Sequence, residues 1–177
     1  YRLLNEDVKA EYETDENEFS DVSEADWYCT AVSTLANIGI FGGYPDGSFR
    51  PDAYITRAEF AAICARIDGE DADETAEYSD IDGHWAADEI SRVAELGWVK
   101  GYTDGTFRPN QQITRAEAMA VINRITERNP ETKADLLDSM KTWVDNTEDK
   151  WYYIDVQEAT VAHDYERKDN GREAWTD

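Results

Sequence analysis

Apolar residues recur along this chain at intervals of three and four, in short stretches separated by turn-forming and charged residues. That spacing is typical of the buried face of an amphipathic helix. One such face comprises Trp27, Ala31, Val32, Leu35 and Ile38, and another comprises Ile90, Val93, Ala94 and Leu96. Each is followed by a glycine, Gly39 or Gly97, as at many helix C-termini. The pattern predicts one helix from about residue 25 to 37, capped by Ser23, and another that ends before Gly97.

A loop and a second helix start follow each of these helices. Residues 44–47 of the first loop read Tyr-Pro-Asp-Gly, which suits a type I turn. Thr56 with Glu59, and Thr114 with Glu117, match the capping box, in which the two residues satisfy each other's backbone N–H groups. The predicted unit is therefore helix, loop, helix.

The same unit occurs twice at a constant offset of 58 residues. This offset carries Gly-Tyr at 43–44 onto 101–102, Phe-Arg-Pro at 49–51 onto 107–109, and Ile-Thr-Arg-Ala-Glu at 55–59 onto 113–117. A third beginning, Trp-Val-Asp at 143–145 with Trp151 after it, matches Phe-Ser-Asp at 19–21 with Trp27 after it. No third Thr-Arg-Ala-Glu follows. A fixed period of this length indicates a repeat architecture.

These matches divide the chain into six predicted segments. They are residues 1–18, the tail of an upstream repeat helix plus a linker; 19–68, repeat 1; 69–77, an acidic linker; 78–126, repeat 2; 127–142, a connector helix; and 143–177, a partial and degenerate repeat 3. Tyr1-Arg2-Leu3 resembles Ala65-Arg66-Ile67, the tail of a repeat helix. Residues 1–12 are therefore predicted to be helical, and Tyr1 is expected to lie beside residues 151–162.

Composition restricts the possible partners. Hydrophobic residues make up 41% of the chain, enough for a core, while a net charge of −23 leaves a strongly acidic exterior. Such a field repels nucleic acid and anionic membranes, so neither is expected as a partner. No apolar run approaches the roughly 20 residues that cross a bilayer, and no membrane insertion is expected. Cys29 and Cys64 fall on predicted apolar faces, where buried free thiols are favoured over a disulfide.

Candidate residues for catalysis or metal binding do not stand out. The many carboxylates single out no catalytic pair, and His84 and His163 are far apart in unlike contexts. The acidic stretches at 68–77 and 80–83 lack the spacing of a calcium-binding EF-hand loop. The glycine-containing loops do not follow a strand, as a phosphate-binding loop does. We therefore expect no enzyme activity, no cofactor and no bound metal.

Arg57 and Arg115 stand in the first turn of the second helix of each repeat, where a cation opposes the helix dipole. Two explanations remain open. A helix start offers free N–H donors, and an adjacent guanidinium adds a fork that suits a carboxylate or phosphate, so each could form an anion site. Alternatively, each arginine forms an ion pair with one of the many acidic side chains nearby.

The stretch Gly-Tyr-Pro-Asp-Gly-Ser-Phe-Arg-Pro at 43–51, followed by Ile-Thr-Arg-Ala-Glu, resembles the S-layer homology module of bacterial surface proteins. The second copy departs from it slightly, with Thr103 in place of the proline. The resemblance covers most of residues 19–165. It implies an all-α fold of helix–loop–helix repeats, arranged with pseudo-threefold symmetry as three prongs around a central helix bundle. It also implies a location at the bacterial cell surface, as part of a larger protein.

The resemblance further implies a noncatalytic anchor that binds a secondary cell-wall polysaccharide attached to peptidoglycan, commonly one with a pyruvate ketal. The arginine of Thr-Arg-Ala-Glu would meet the ketal carboxylate in a groove between repeats, which makes Arg57 and Arg115 the leading ligand-binding candidates. Gly43 and Gly101 would let the backbone approach the ligand closely.

Two further sets of residues recur in the repeats. The aspartates Asp21, Asp80 and Asp145 are expected to orient neighbouring groups at the site. The tryptophans Trp27, Trp85 and Trp151 could stack on sugar rings, with Trp85 and Trp151 as the ligand candidates. An aromatic residue that recurs at one helix position is more often part of the core, so we expect their bulk to be buried with an edge exposed.

Two other functions remain open at this stage. The repeats could act as a structural module that packs only against other protein, for example in an S-layer lattice, without binding glycan. They could also be the accessory domain of a surface hydrolase, which differs only in the domain that the module carries.

Overall fold

The computed structural model describes residues 1–176 and is mostly helical. Its helices are α1 (Glu6–Tyr12), α2 (Cys29–Asn37), α3 (Arg57–Asp68), α4 (Ala87–Glu95), α5 (Arg115–Ile125) and α6 (Tyr153–Thr160). A 3-10 turn covers Lys133–Asp135, and an antiparallel hairpin pairs β1 (Asp164–Arg167) with β2 (Glu173–Thr176). The predicted all-α class is confirmed, with the small hairpin as an addition that no sequence pattern indicated. The three-pronged arrangement stays a prediction.

Both predicted capping boxes are present. The Thr56 hydroxyl accepts the N–H of Glu59 at 3.2 Å, and the Glu59 carboxylate accepts the N–H of Thr56 at 2.7 Å. Thr114 and Glu117 repeat this geometry at the start of α5. Each box satisfies two of the N–H groups that a helix start leaves unpaired, so α3 and α5 begin where the sequence indicates.

The first helix of repeat 1 begins later than predicted. The backbone N–H and the hydroxyl of Ser23 both donate to the Asp26 carboxylate, at 2.8 and 3.1 Å, and close a local turn. The helix α2 therefore starts only at Cys29, and Tyr28 precedes it without a side-chain cap. The predicted cap at Ser23 is wrong. The predicted end is confirmed, because Gly39 follows α2 with a φ of 90°.

Helix packing runs across the repeat boundaries. The helix α3 of repeat 1 packs against α4 of repeat 2, and α5 of repeat 2 packs against α6 of the partial repeat. The largest core cluster joins the two full repeats and includes Ala58, Ala61, Cys64, Ile81, Ile90, Val93, Phe107 and Val121. The alanines of α3 allow its backbone to approach α4 closely. Cys29 and Cys64 are buried free thiols, as predicted, and burial raises the pKa of Cys64 to about 12.

The predicted connector helix over 127–142 is wrong. Only the 3-10 turn forms there, with Thr132 and Asp135 as its capping pair. Glu127 has a φ of 55°, and Pro130 forms a parallel bridge with Glu173 of the hairpin, which holds the segment extended. The apolar residues that suggested a helix do pack inward: Leu136 is buried in a cluster with Tyr153 and Trp175.

The N-terminal segment is helical only from Glu6, with Asn5 as its side-chain cap, so residues 1–5 do not form the predicted helix. The helix α1 packs against α2. Tyr1 contacts the Glu13 carboxylate through its hydroxyl and Lys9 through its ring, both within its own segment. These contacts lend no support to the expected position of Tyr1 beside residues 151–162. No helix in residues 1–176 is long and apolar enough to cross a bilayer.

Candidate functional site

Two grooves, each with a cavity volume of about 700 Å³, occupy equivalent positions on the two full repeats. The repeat-1 groove is lined by Gly43, Tyr44, Arg50, Glu59, Arg66 and Trp85, among others. The repeat-2 groove is lined by Gly101, Tyr102, Glu117, Arg124, Trp151 and Arg57, among others. Gly43, Tyr44, Glu59 and Arg66 correspond at the repeat offset to Gly101, Tyr102, Glu117 and Arg124. Each tryptophan comes from the following repeat, and Arg57 enters the repeat-2 groove from repeat 1.

Each groove has one wall formed by a loop that an aspartate holds in place. The two Asp21 oxygens accept the backbone N–H groups of Phe49 and Arg50 at 2.7 and 2.8 Å. Arg50 has a φ of 59°, in the left-handed region that non-glycine residues rarely adopt, so these bonds offset backbone strain. The hydrogen bond from the Phe49 amide lowers the pKa of Asp21. Asp80 binds Phe107 and Arg108 in the same way. Both carboxylates therefore orient the loop backbone.

Arg50, which lines the repeat-1 groove, and its counterpart Arg108 are loop residues that sequence reasoning missed. Each guanidinium lies over the ring of the loop tyrosine, 4.0 Å from the centroid of Tyr44 and 3.8 Å from that of Tyr102. Each also pairs with a loop aspartate, Asp46 or Asp104, at 2.7 and 2.9 Å. The sequence signal was present, because both arginines recur within the repeated Phe-Arg-Pro motif.

Hydrogen bonds strengthen the acidity of these loop aspartates. The Ser48 hydroxyl and the Arg50 guanidinium lower the pKa of Asp46 to about 2. The equivalent donors Thr106 and Arg108 lower the pKa of Asp104 to about 2 as well. Both aspartates therefore stay ionised far below neutral pH, and the loops keep their charge pairs.

Arg57 is buried between the two repeats, with 7% of its surface exposed. Its Nε donates to the Phe107 carbonyl at 2.8 Å, and one terminal nitrogen donates to Glu117 Oε1 at 2.6 Å. The other terminal nitrogen donates to the Lys100 carbonyl at 3.2 Å. Of the two explanations that the sequence left open, the ion pair within the protein is thus present at Arg57. The guanidinium nevertheless lines the open repeat-2 groove.

The backbone donors at the start of α3 are occupied by repeat 2. The N–H groups of Arg57 and Ala58 donate to the carbonyls of Gln111 and Pro109, at 2.8 and 2.9 Å. The third N–H, of Glu59, donates to its own cap. An external anion therefore finds no free backbone donor among these three groups, and that part of the predicted anion site is wrong for α3.

Arg115 has the opposite environment. Its side chain is exposed, and it forms no ion pair or hydrogen bond with any other residue in 1–176. The N–H groups of Arg115 and Ala116 likewise have no acceptor in that part of the chain. Arg115 lines neither of the two grooves. The sequence therefore placed two arginines in equivalent positions, and the structure gives them different surroundings.

Gly43 and Gly101 lie in the groove walls, but their immediate neighbours are aromatic rings of the same repeat. A Cβ atom at Gly43 would collide with the Phe19 ring, and one at Gly101 would collide with the Tyr78 ring. The Tyr78 hydroxyl also accepts the N–H of Gly101 at 3.1 Å. Close approach between the backbone and these internal rings accounts for both glycines.

The tryptophans lie on the surface, so the prediction that their bulk belongs to the core is wrong. Trp27 is 92% exposed, Trp85 60% and Trp151 65%. The cause is the late helix start, because each tryptophan falls in the turn before its helix. Trp151 lines the repeat-2 groove and Trp85 the repeat-1 groove, whereas Trp27 lines neither.

The partial repeat lacks the loop that its aspartate would bind. Asp145 is exposed, and Val144 beside it is fully exposed. A buried acidic cluster occupies this end of the molecule instead. The Glu158 carboxylate accepts the Trp175 indole N–H at 2.7 Å, and Arg128 Nε approaches its other oxygen at 2.7 Å, without hydrogen-bond alignment.

His163 and a second buried glutamate complete this cluster. The His163 ring stacks on Trp175 with centroids 3.8 Å apart. Its Nε2 lies 3.3 Å from Glu158 Oε1. Glu173 is fully buried, and burial raises its pKa. Because these residues are scattered over 128–175 without a motif, no sequence signal could have identified the cluster.

Comparison with known proteins identifies the class. The sequence model of the S-layer homology domain matches residues 18–61 and 77–119, which overlap repeats 1 and 2. The chain therefore belongs to the S-layer homology family and carries tandem copies of its domain.

Curated relatives agree with this class. The chain is 36% identical over 183 residues to a cellulosome-anchoring protein of Acetivibrio thermocellus, in an alignment that covers 99% of the chain and 40% of that protein. It is 35% identical over 159 residues to cell surface glycoprotein 1 of the same organism, covering 83% of the chain and 7% of the relative. A surface layer protein of Brevibacillus choshinensis is 33% identical over 108 residues, 58% of the chain and 10% of that protein. The chain spans less than half of each relative. The chain is a module of a cell-surface or cell-wall protein.

Proposed function

We propose that this module anchors a larger surface protein noncovalently to an anionic, pyruvylated secondary cell-wall polysaccharide attached to peptidoglycan, and that it has no catalytic role. The observation that carries the proposal is the repeat-2 groove. There a guanidinium, from Arg57, and an exposed indole, from Trp151, line one cavity of about 700 Å³.

The chemistry of this groove fits an acidic sugar. The Trp151 ring offers an apolar face on which a pyranose can stack. The Arg57 side chain has five N–H groups, of which three are used by the protein, so two remain for a carboxylate. Lys100 and Arg124 add positive charge to the lining. Because the chain as a whole carries a charge of −23, an anionic polymer must be captured by such a local group of cations.

Glu117 sets the local charge that the ligand meets. Burial raises its pKa, but hydrogen bonds from Thr114, together with the charge of Arg57, outweigh that effect and lower it. The Glu117 carboxylate is therefore ionised at neutral pH and shares Arg57 with the incoming acid. In this proposal Gly43, Gly101, Asp21 and Asp80 shape the groove walls, and Trp85 is the equivalent stacking surface in the repeat-1 groove.

The experiment compares binding to isolated cell walls before and after their attached polymers are stripped. Trp151→Ala is the informative variant, because the ring is exposed and its loss leaves the core intact. We expect binding to fall about tenfold, equivalent to about 1.4 kcal/mol. Trp27→Ala removes a tryptophan that is even more exposed and lies outside both grooves, and it serves as the matched control, with unchanged binding.

Two results would contradict the proposal. Retained binding to stripped walls would show that the polymer is not the ligand, and equal behaviour of Trp151→Ala and Trp27→Ala would exclude the groove. Charge reversal at Arg57 is less informative, since it would bury two carboxylates side by side and disturb the fold. The rival function, a module that packs only against protein, is supported by the unpartnered start of α5.

A further inference from the structure

The contact between repeats 1 and 2 has two complementary halves. One half is the helix start, residues 55–58, which carries Arg57. The other half is the repeat-2 cradle, which we define as the carbonyls of Lys100, Phe107, Pro109 and Gln111, the N–H of Ile113, and the Glu117 carboxylate. Arg57 enters the cradle between two carbonyls and the carboxylate, and Ile113 donates to the Ile55 carbonyl at 3.1 Å. Thr56 pairs with Gln112 as an isolated antiparallel bridge.

Repeat 1 has the same cradle without a helix start in it. At the repeat offset, the repeat-1 cradle consists of the carbonyls of Gly42, Phe49, Pro51 and Ala53, the N–H of Ile55, and the Glu59 carboxylate. These four carbonyls accept no hydrogen bond from any residue in 1–176. Glu59 Oε1 accepts only the Tyr44 hydroxyl, at 2.7 Å, whereas Glu117 Oε1 accepts both the Tyr102 hydroxyl and Arg57.

Repeat 2 has the matching helix start without a cradle around it. Residues 113–117 read Ile-Thr-Arg-Ala-Glu, identical to residues 55–59, and Thr114 and Glu117 give the same capping geometry. Arg115 is exposed, and its N–H and that of Ala116 have no acceptor within 1–176. Each chain thus presents one cradle and one helix start that have no partner within residues 1–176. They are the counterparts, at the repeat offset, of the cradle and the helix start that bind each other between repeats 1 and 2.

We propose that the start of α5 from one copy of this chain docks in the repeat-1 cradle of a second copy. Arg115 would then bind Glu59 and the carbonyls of Gly42 and Phe49, as Arg57 binds Glu117 and its two carbonyls. Thr114 would pair with Tyr54, the counterpart of Gln112, whose side chain is 80% exposed at the edge of the cradle. A second copy is the partner to which the structure points, because this chain carries both surfaces and the same pair already joins its two repeats.

Such an interface is heterologous, since two different surfaces meet, and it generates rings or open filaments. It would also place Arg115 in the repeat-1 groove, near Trp85, in the role that Arg57 has in the repeat-2 groove. The interface itself does not require a glycan. Its test is therefore independent of wall binding.

The experiment measures the mass of the purified chain by sedimentation over a range of concentrations, at physiological ionic strength to screen the repulsion between acidic copies. We expect the average mass to rise with concentration to at least twice that of one chain. Arg115→Glu, which alters the helix start, and Tyr54→Arg, which places a cation at the cradle, should each remain monomeric. Circular dichroism checks that both variants keep their helical signal.

An equimolar mixture of the two variants gives the sharpest result. Each variant keeps the half that the other has lost, so the mixture should form a dimer and nothing larger. Arg172→Glu makes the same charge change at an exposed arginine on the hairpin turn and should associate like the unaltered chain. Three results would each overturn the proposal. One is a chain that stays monomeric up to about 500 µM, a concentration at which even weak association is detected. The others are an Arg115→Glu variant that still associates and a mixture of the two variants without dimer.

Discussion

The two full repeats and the C-terminal region, residues 127–176, are stabilised by different kinds of polar contact. In the repeats, exposed or partly exposed carboxylates bind backbone N–H groups of loops and helix starts, as Asp21 and Glu59 do, and the Arg57–Glu117 pair between the repeats is the buried exception. In the C-terminal region, the carboxylates of Glu158 and Glu173 are buried and face arginines. Contacts of the first kind recur wherever the same short sequence motif recurs. Buried charges require a specific partner from a distant segment, so the two regions should respond differently to substitution and to pH.

The largest expected effect is that of Glu158→Ala. This change leaves Arg128 without its ion pair and the Trp175 indole N–H without an acceptor inside the protein. We expect the free energy of unfolding to fall by about 3 kcal/mol, measured by urea denaturation with tryptophan fluorescence. Glu166→Ala, at an exposed position of the same hairpin, is the control and should change it by less than about 0.5 kcal/mol. Similar values for both variants would remove the distinction between the regions.

A smaller effect is expected at the aspartates that recur in the repeats. Asp80→Ala removes two hydrogen bonds that hold the strained backbone at Arg108, and should cost about 1–2 kcal/mol of unfolding free energy. Asp145→Ala is the matched control at the same repeat position, where no loop is bound, and should be neutral within about 0.5 kcal/mol. Thermal unfolding followed by circular dichroism distinguishes the two. Equal losses would mean that Asp145 has a structural role of its own.

The smallest effect is a difference in pH dependence between the regions. The pKa of Asp46 and of Asp104 is about 2 in the folded protein, below the usual 3.8. The stability that these groups confer is complete above their unfolded pKa and is lost as pH falls towards 2. Burial raises the pKa of Asp155 in α6 and of Glu173 in the hairpin, so these two groups bind more protons in the folded protein than in the unfolded one. The stability that they confer therefore falls as pH rises from their unfolded pKa values through the folded ones, whereas Asp135 and Asp149 outside α6 and the hairpin have lowered pKa values and act in the opposite direction.

Amide hydrogen exchange at about pH 3 and about pH 6, corrected for intrinsic rates, measures this difference region by region. The loops at 44–50 and 102–108 should be better protected at the higher pH. The hairpin and α6 should be better protected at the lower pH. A shift in the same direction in both regions would contradict the proposed contrast.

Local signals in the sequence predicted local structure well. The capping boxes at Thr56 and Thr114, the glycine after α2 and the turn at 44–47 all form as expected, because each depends on residues within one or two turns of one another. The connector over 127–142 failed because Pro130 bridges a strand more than forty residues away. No local pattern carries that information.

The candidate site was predictable in its residues but not in their surroundings. The offset alone brought Arg57 and Arg115 forward as equivalent. Their difference arises because Arg57 enters the cradle of repeat 2, whereas residues 127–177 contain no Phe-Arg-Pro loop that could receive Arg115. The exposure of Trp151 was not predicted, because its spacing relative to later apolar residues suits the buried face of a helix. The helix α6 starts only at Tyr153, after Trp151.

The packing of α3 on α4 and of α5 on α6 means that the stretch duplicated in the sequence is out of phase with the stretch that folds together. A gene fragment cut at the acidic linker would separate α3 from α4 and would expose the faces that Ala61 and Ile90 now share. The sequence repeat and the packed helix pair are therefore offset by half a repeat. Recombination between such genes should preserve function only when its breakpoints fall in the loop between the two helices of one repeat, because such breakpoints keep the packed helices together.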